Sequence, residues 1–571
     1  MSIKYLTSVL LVLFVVNQCI IAHENNHHID NEVVEKLQKI SSLSAKISCE
    51  LCEVGAVLFD GFLERNASVE EVIKTSTDIC SAMKIQQPDV CAGIMFAYAP
   101  IVYQVLIETD LTPTVMCHKL RFCTSTESKM QHYNELNQVA SMAALLQTKP
   151  NYKDTKLQKP KMDTPYTGIG YILQLTDIHY DPYYLEGSDP LCGKPLCCRN
   201  GTGSAGFYGD YSCDIPLHTV KAIFEQILEI GKTMPIRFVV HTGDNPPHDV
   251  WMQDEARQIS STDVLASLIS TYFPDTIVLP SVGNHESWPS DEYILPKKQW
   301  LLDTLHSCWT PFLDDAELES VKKAGYYTTL LQTGLRVISL NTFDADILNF
   351  YNLLKHSNMD IKNNQTDWFI NVLEQAEANN EKVIVIGHIP CTLKSDPNDH
   401  WCEVYQAIVE RFSQVITAQF YGHTHYDQLV VFSDTATHTK PTGMNYVAPS
   451  MTTYMHHEPS FRLYEFDFDT YEVTNYYQYH ANLSQANEPG GNLTFTVAYS
   501  AKELFDMPDL SPQSWWNVAQ EFKTNATLFD NYYKHLANSP FKSTCDDACR
   551  KKWTCEVFGV TSQLFDQCLG V

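Results

Sequence analysis

Apolar residues fall into three textures along this chain. Between Cys49 and Cys123 they recur every three or four positions, as at Val54, Val57, Leu58 and Phe62, the spacing of amphipathic helices. From about residue 168, short unbroken apolar runs alternate with helical segments, the pattern of an α/β layered domain with strands buried on both faces. From about Asn482 the pattern becomes helical and aromatic-rich. Two stretches stand apart. VLLVLFVV (9–16), preceded by Lys4 and followed by small and polar residues up to Ala22, has the length and flanks of a signal peptide rather than a membrane span. CAGIMFAYAPIVYQVLI (91–107) carries Pro100 inside and lies among clustered cysteines, which predicts a buried helix pair. Lysines and spaced prolines in QTKPNYKDTKLQKPKMDTPYTG (147–168) predict a semi-extended linker. The chain thus divides into a leader (1–22), a helical module (45–127), a linker (128–167), an α/β domain (168–470) and a helical C-terminal subdomain (471–571).

Five apolar runs of the α/β region end in polar side chains. YILQLTDIH (171–179) ends in Asp177 and His179, IRFVVHTGD (236–244) in Asp244, and TIVLPSVGNHE (276–286) in Asn284 and His285. KVIVIGHIP (382–390) presents His388, and TAQFYGHTH (417–425) presents His423 and His425. Functional groups of a layered α/β fold gather beyond the carboxyl ends of its strands, so five strands of one sheet would aim these groups at one crevice. Gly243, Gly283, Gly387 and Gly422 precede the polar groups, where tight turns carry backbone close to a site. Four histidines, two aspartates and one asparagine form a mixed N/O donor set, suited to zinc, manganese or iron rather than calcium. Seven donors exceed the needs of one transition metal and suffice for two ions sharing a carboxylate.

Composition narrows the setting. The 40 basic against 68 acidic side chains give a formal charge of −28, which excludes the cationic footprint of a nucleic-acid binder and suits an acidic compartment. A leader and 18 cysteines point to disulfides in an oxidising compartment, with a lysosomal or extracellular destination. Sequons at Asn66, Asn200, Asn364, Asn482, Asn492 and Asn525 agree with glycosylation. The six N-terminal cysteines admit fifteen pairings on sequence alone.

CxxC at Cys49/Cys52, the pair Cys80/Cys91 and the final Cys117 and Cys123 resemble a saposin B-type domain. The resemblance implies the nested bridges Cys49–Cys123, Cys52–Cys117 and Cys80–Cys91 and an apolar lipid-binding face. Six Lys/Arg and ten Asp/Glu between Ala45 and Cys123 would approach balance on acidification, easing contact with anionic lipid.

The ordered series D-x-H, G-D, G-N-H-E, G-H and G-H-x-H resembles the calcineurin-type metallophosphoesterases over about Gly168 to Asp469. That likeness implies a four-layer sandwich of two sheets flanked by helices. By position it assigns Asp177, His179 and His425 to one metal, Asn284, His388 and His423 to the other, and Asp244 to both. His423 and His425 would then alternate on an extended segment, each serving a different ion.

With the saposin-type module upstream, and with GDNPPHDVW (243–251) and APSMTTY (448–454), the whole chain is similar to the acid sphingomyelinase family. The similarity implies two Zn2+ ions and hydrolysis of membrane sphingomyelin to ceramide and phosphocholine by a bridging hydroxide. It also implies a monomer held peripherally at the membrane by its helical module. His285 and His248 are the candidate proton donors to the leaving alkoxide, with His285 ranked first. Cys192/Cys197, Cys198/Cys213, Cys545/Cys549 and Cys555/Cys568 form short-range pairs, whereas Cys308, Cys391 and Cys402 are an odd set from which Cys391–Cys402 is selected. Two other readings are a phosphodiesterase for nucleotides or other soluble phosphoesters, and a catalytically weak lipid-binding protein.

Overall fold

A computed structural model describes residues 59–120, 161–355, 364–541 and 544–570, apart from positions 83, 110, 112, 163 and 396. The leader, the proposed bridges Cys49–Cys123 and Cys52–Cys117, and the linker up to residue 160 involve residues outside that set.

Twelve strands occur among the described residues: β1 (Ile169–Leu175), β2 (Ile236–His241), β3 (Ile277–Pro280), β4 (Tyr327–Gln332), β5 (Leu335–Ser339), β6 (Lys382–Ile386), β7 (Ile416–Tyr421), β8 (Gln428–Ser433), β9 (Pro441–Val447), β10 (Ser460–Asp467), β11 (Glu472–Ala481) and β12 (Phe495–Ser500). They form two six-stranded sheets, ordered β12-β11-β10-β1-β2-β3 and β4-β5-β6-β7-β9-β8. β1, β2 and β3 run parallel, as do β5, β6, β7 and β9. Parallel neighbours require crossovers. Helices Leu217–Gly231 and Glu255–Tyr272 supply them for the first sheet, and Asn364–Ala378 and Asp399–Arg411 for the second.

Apolar side chains on both faces of each strand make the sandwich. Ile223, Phe224, Leu265 and Ile269 of the first helix pair share a core with Leu173, Val239 and Leu279 of the first sheet. Ile384, Ile386 and Phe420 reach from the second sheet into that same core, while Phe369, Leu373 and Ile408 cover the outer face at Val383 and Val385. Buried Gln174 at the end of β1 spans the layers: its Nε2 donates to the Tyr421 carbonyl of β7 at 2.9 Å, and Tyr464 Oη donates to its Oε1 at 2.8 Å.

Three expectations change. The five site-bearing strands do not share one sheet: β1, β2 and β3 lie in the first, β6 and β7 in the second. Unbroken apolar runs cannot distinguish these cases, because a strand in either is buried on both faces. β11 and β12 extend the first sheet past the boundary placed at residue 470, and Trp515, Phe522, Phe529 and Tyr532 of the C-terminal helices belong to the main core. The 91–107 stretch is part of one helix, Pro88–Glu108, with Pro100 inside it, rather than a pair.

Helix Pro88–Glu108 is long and apolar enough to cross a membrane, but 67% of its apolar window is buried in the fold. Its inward face shares a core with Cys198, Cys213, Trp251, Phe350 and Leu353. Gly93 makes the closest approach, since a Cβ there would lie 1.9 Å from the Trp251 carbonyl oxygen. Disulfides join Cys80–Cys91, Cys192–Cys197, Cys198–Cys213, Cys391–Cys402, Cys545–Cys549 and Cys555–Cys568, and Cys308 is a buried free thiol. All six sequon asparagines are exposed.

Candidate metal centre

The polar groups that follow β1, β2, β3, β6 and β7 meet at one end of the sandwich, between the two sheets. Asp177 Oδ1 lies 3.4 Å from His425 Nε2, which lies 3.2 Å from His179 Nε2. Asp244 Oδ2 stands between two groups, 3.4 Å from His179 Nε2 and 3.1 Å from His388 Nε2. Asn284 Oδ1 lies 2.9 Å from His423 Nδ1. All seven are thus drawn into one cluster, with Asp244 at its middle.

Backbone geometry sustains the convergence. Asp177, His179, Asp244, His423 and His425 all occupy the left-handed region, with φ of 49°, 44°, 64°, 70° and 62°. A residue with a side chain held there costs about 1–3 kcal/mol, so the surrounding fold must impose it. His423 and His425 therefore sit on a tight turn, not on the extended segment that their spacing suggested. Two glycines explain how the turns pack. A Cβ on Gly422 would fall 2.0 Å from Thr176 Oγ1, and one on Gly283 would fall 2.2 Å from Asp244 Oδ1.

The ring nitrogens are sorted by their outer partners. His179 Nδ1 donates to the Pro246 carbonyl at 2.7 Å and His388 Nδ1 to the Thr242 carbonyl at 2.6 Å, which leaves each Nε2 as a lone-pair donor facing the cluster. His388 Nε2 is buried without a hydrogen-bond partner. Facing nitrogen lone pairs beside two carboxylates suit cations and little else. Single donor atoms from Asp244, His388 and His423 lie within 4.8 Å of one another, as do those of His179, Asp244 and His285, and those of His179, His248 and His425.

Both candidate proton donors lie against this cluster, in different surroundings. The His285 ring centroid is 4.9 Å from that of His179, and its Nδ1 faces Ser290 Oγ at 3.4 Å. Burial, only partly opposed by the Asp244 carboxylate, pushes His285 down to about 4. The His248 ring centroid is 3.9 Å from that of His179, and the ring stacks on Tyr454 at 4.3 Å. Its Nδ1 lies 2.9 Å from Asp214 Oδ1.

Supporting residues were absent from the sequence reading. Glu286 accepts the N–H groups of Gly283, Asp244 and Asn245, tying the turns after β2 and β3 together, and burial pushes its carboxyl up to about 7. Its place beside Asn284 and His285 was a usable signal. Asp291 Oδ1 accepts from Asn284 Nδ2 at 2.7 Å and so turns the amide oxygen toward the cluster. Neither Asp291 nor Asp214 carries a local pattern that marks it.

Comparison with known proteins agrees with this architecture. Residues 170–427 match the calcineurin-like phosphoesterase family, and residues 440–571 match the acid sphingomyelin phosphodiesterase C-terminal region. Sphingomyelin phosphodiesterase A of Dictyostelium discoideum is 48% identical over 99% of this chain and 100% of its own length. A human sphingomyelin phosphodiesterase is 31% identical, covering 89% of this chain and 80% of its own. A human cyclic GMP-AMP phosphodiesterase is 30% identical over 71% of this chain and 91% of its own length.

Proposed function

Since this chain belongs to the sphingomyelin phosphodiesterase family, we propose that it hydrolyses sphingomyelin to ceramide and phosphocholine at a centre for two divalent cations. The carrying observation is Asp244 Oδ2, placed between His179 Nε2 and His388 Nε2. Asp177, His179 and His425 would hold one cation, Asn284, His388 and His423 the other, and Asp244 both, with zinc as the ion best suited to this N/O set. When bound, the cations supply charge for the phosphate oxygens and activate the attacking water. The chain's own residues do the rest. The turns fix the donor positions, Asp291 orients the Asn284 amide, and the two layers exclude bulk water from His179, His388 and Asp177. A protonated His248 or His285 delivers the proton that the alkoxide needs to depart.

The helical module serves in this reading as the lipid-presenting part. Phe96 and Ile107 on helix Pro88–Glu108 are 61% and 59% exposed, an unusual display on a helix whose other face is a core. Phe96 lies 6.4 Å from Trp288, three residues after His285, so apolar surface continues from the helix toward the site. Exposed sequons, disulfides and the leader favour a glycosylated protein of the lysosome or cell exterior. In this reading it acts as a monomer at the membrane.

The test is release of phosphocholine from sphingomyelin liposomes by purified protein, with bound metal measured and a chelator control. Turnover that is lost with the metal and restored by zinc is the expected result. Turnover indifferent to chelation overturns the centre. The similarity to a cyclic GMP-AMP phosphodiesterase favours a second reading, a soluble nucleotide diester as substrate. Faster cleavage of such a diester than of the lipid would select it.

A further inference from the structure

We propose that Asp214 is a positioning residue that fixes His248 as the proton donor to the leaving oxygen. The inference rests on the phosphodiesterase reading above and separates the two candidate histidines, which sequence alone ranked the other way.

Asp214 holds His248 at two points. Its Oδ1 lies 2.9 Å from the ring Nδ1, and its Oδ2 accepts the His248 backbone N–H at 2.7 Å. One carboxylate thus sets both the backbone position and the ring tautomer, placing a proton on Nδ1 and leaving Nε2 for the reacting side. The ring cannot swing away, because Tyr454 stacks on it and is itself anchored through Oη to the Pro195 carbonyl at 3.0 Å. Asp214 is equally fixed. It is fully buried, follows the Cys198–Cys213 disulfide, and accepts from Thr452 Oγ1 at 2.9 Å. Ile215 beside it bridges to Tyr180, the residue after His179. Burial alone would raise the Asp214 carboxyl, but His248 and the Thr452 hydroxyl together outweigh that and hold it below its ordinary value. Among the described residues His285 has no such partner: its Nδ1 meets a serine hydroxyl at 3.4 Å, and no carboxylate there hydrogen-bonds its ring.

In the reaction the water oxygen forms the new P–O bond. The P–O bond to the alcohol breaks with its electron pair on the departing oxygen, which takes a proton from His248 Nε2. The proton lost by the water returns the ring to its charged form, and the Nδ1 proton stays on the Asp214 side throughout. A carboxylate behind a histidine can equally serve a metal ligand, and His248 is one of the groups near His179 and His425. The experiment must therefore separate the two roles.

Asp214→Asn and Thr452→Val in the full-length, zinc-loaded protein provide the test, with bound metal measured in each. Two substrates are compared: sphingomyelin, whose alkoxide needs a proton, and bis(p-nitrophenyl) phosphate, whose phenolate does not. Asp214→Asn is expected to lower kcat on sphingomyelin about 10²-fold, the usual worth of general acid catalysis, with KM and metal content unchanged and the aryl ester barely affected. Thr452→Val, which leaves the carboxylate in place, is expected to show the same selectivity at smaller size. Asp214→Asn combined with His248→Ala is expected to be no worse than His248→Ala alone. Equal losses on both substrates, additive losses in the double variant, or loss of metal on Asp214→Asn would overturn the inference. A wild-type protein inert on sphingomyelin would instead count against the lipid reading, and the contrast would then be read between alkyl and aryl leaving groups of a soluble diester.

Discussion

The metal crevice and the seam under helix Pro88–Glu108 are both buried junctions, built on opposite principles. In the crevice, directional bonds and left-handed turns fix a few polar atoms, and glycines admit no side chain at Gly283 and Gly422. Along the seam, apolar surfaces meet with a few polar ties around them: Tyr98 Oη to the Ser290 carbonyl at 3.2 Å, Gln87 Nε2 to the Cys192 carbonyl at 2.9 Å, an ion pair between Asp89 and Lys194, and Lys297 Nζ to Gln104 Oε1. The contrast teaches that chemistry is concentrated where the backbone is strained, and adaptability where packing alone decides. The crevice should fail abruptly on mutation. The seam should loosen by degrees.

The largest effect is expected from His388→Ala, which removes a buried imidazole whose Nε2 faces the cluster beside Asp244. Turnover should fall by at least about 10³-fold together with loss of bound metal, as read by metal analysis beside a phosphodiester assay. Retained metal and activity would show the crevice to be tolerant after all. Gly93→Val tests the seam, since any Cβ there meets the Trp251 carbonyl. The expected result is a drop of about tenfold in hydrolysis of liposomal lipid, with hydrolysis of a soluble diester reduced by clearly less, as the apolar contact opens by degrees. Equal losses would mean that the two junctions form one mechanical unit. Smallest is a pH effect at two buried carboxyls. Burial raises the carboxyls of Glu403 and Glu556 to about 7 each. The folded chain therefore holds protons that the unfolded chain releases above its ordinary carboxylate range. Stability is expected to rise from about pH 7.5 to about pH 5, by ~1–3 kcal/mol per group, and Glu403→Gln should flatten the melting temperature profile. A melting temperature that climbs with pH over that window would contradict the sign.

The cluster of seven polar side chains was legible because each follows an apolar run and each run is a strand. Its geometry was not. Nothing in GHTH distinguishes an extended segment from a left-handed turn, since the turn at His423 and His425 is imposed by the N–H of His423 bonding to Asp177, far away in sequence. Asp214 was invisible for the same reason: its partners His248 and Thr452 are brought to it only by the folded layers. Pro100 misled the reading of 91–107 because proline usually ends a helix, yet the packed surroundings of helix Pro88–Glu108 accommodate it. The apolar-aromatic texture of β11 and β12 resembled the helical tail, and only pairing to β10 identifies them as sheet.

Asp177, His179, Asp244 and Asn284 hang from one sheet, while His388, His423 and His425 hang from the other. Ions gripped among them would act as rivets through the sandwich, resisting any sliding of one layer over its neighbour. Occupancy of the centre would then be a mechanical state of the whole fold as well as a condition for chemistry.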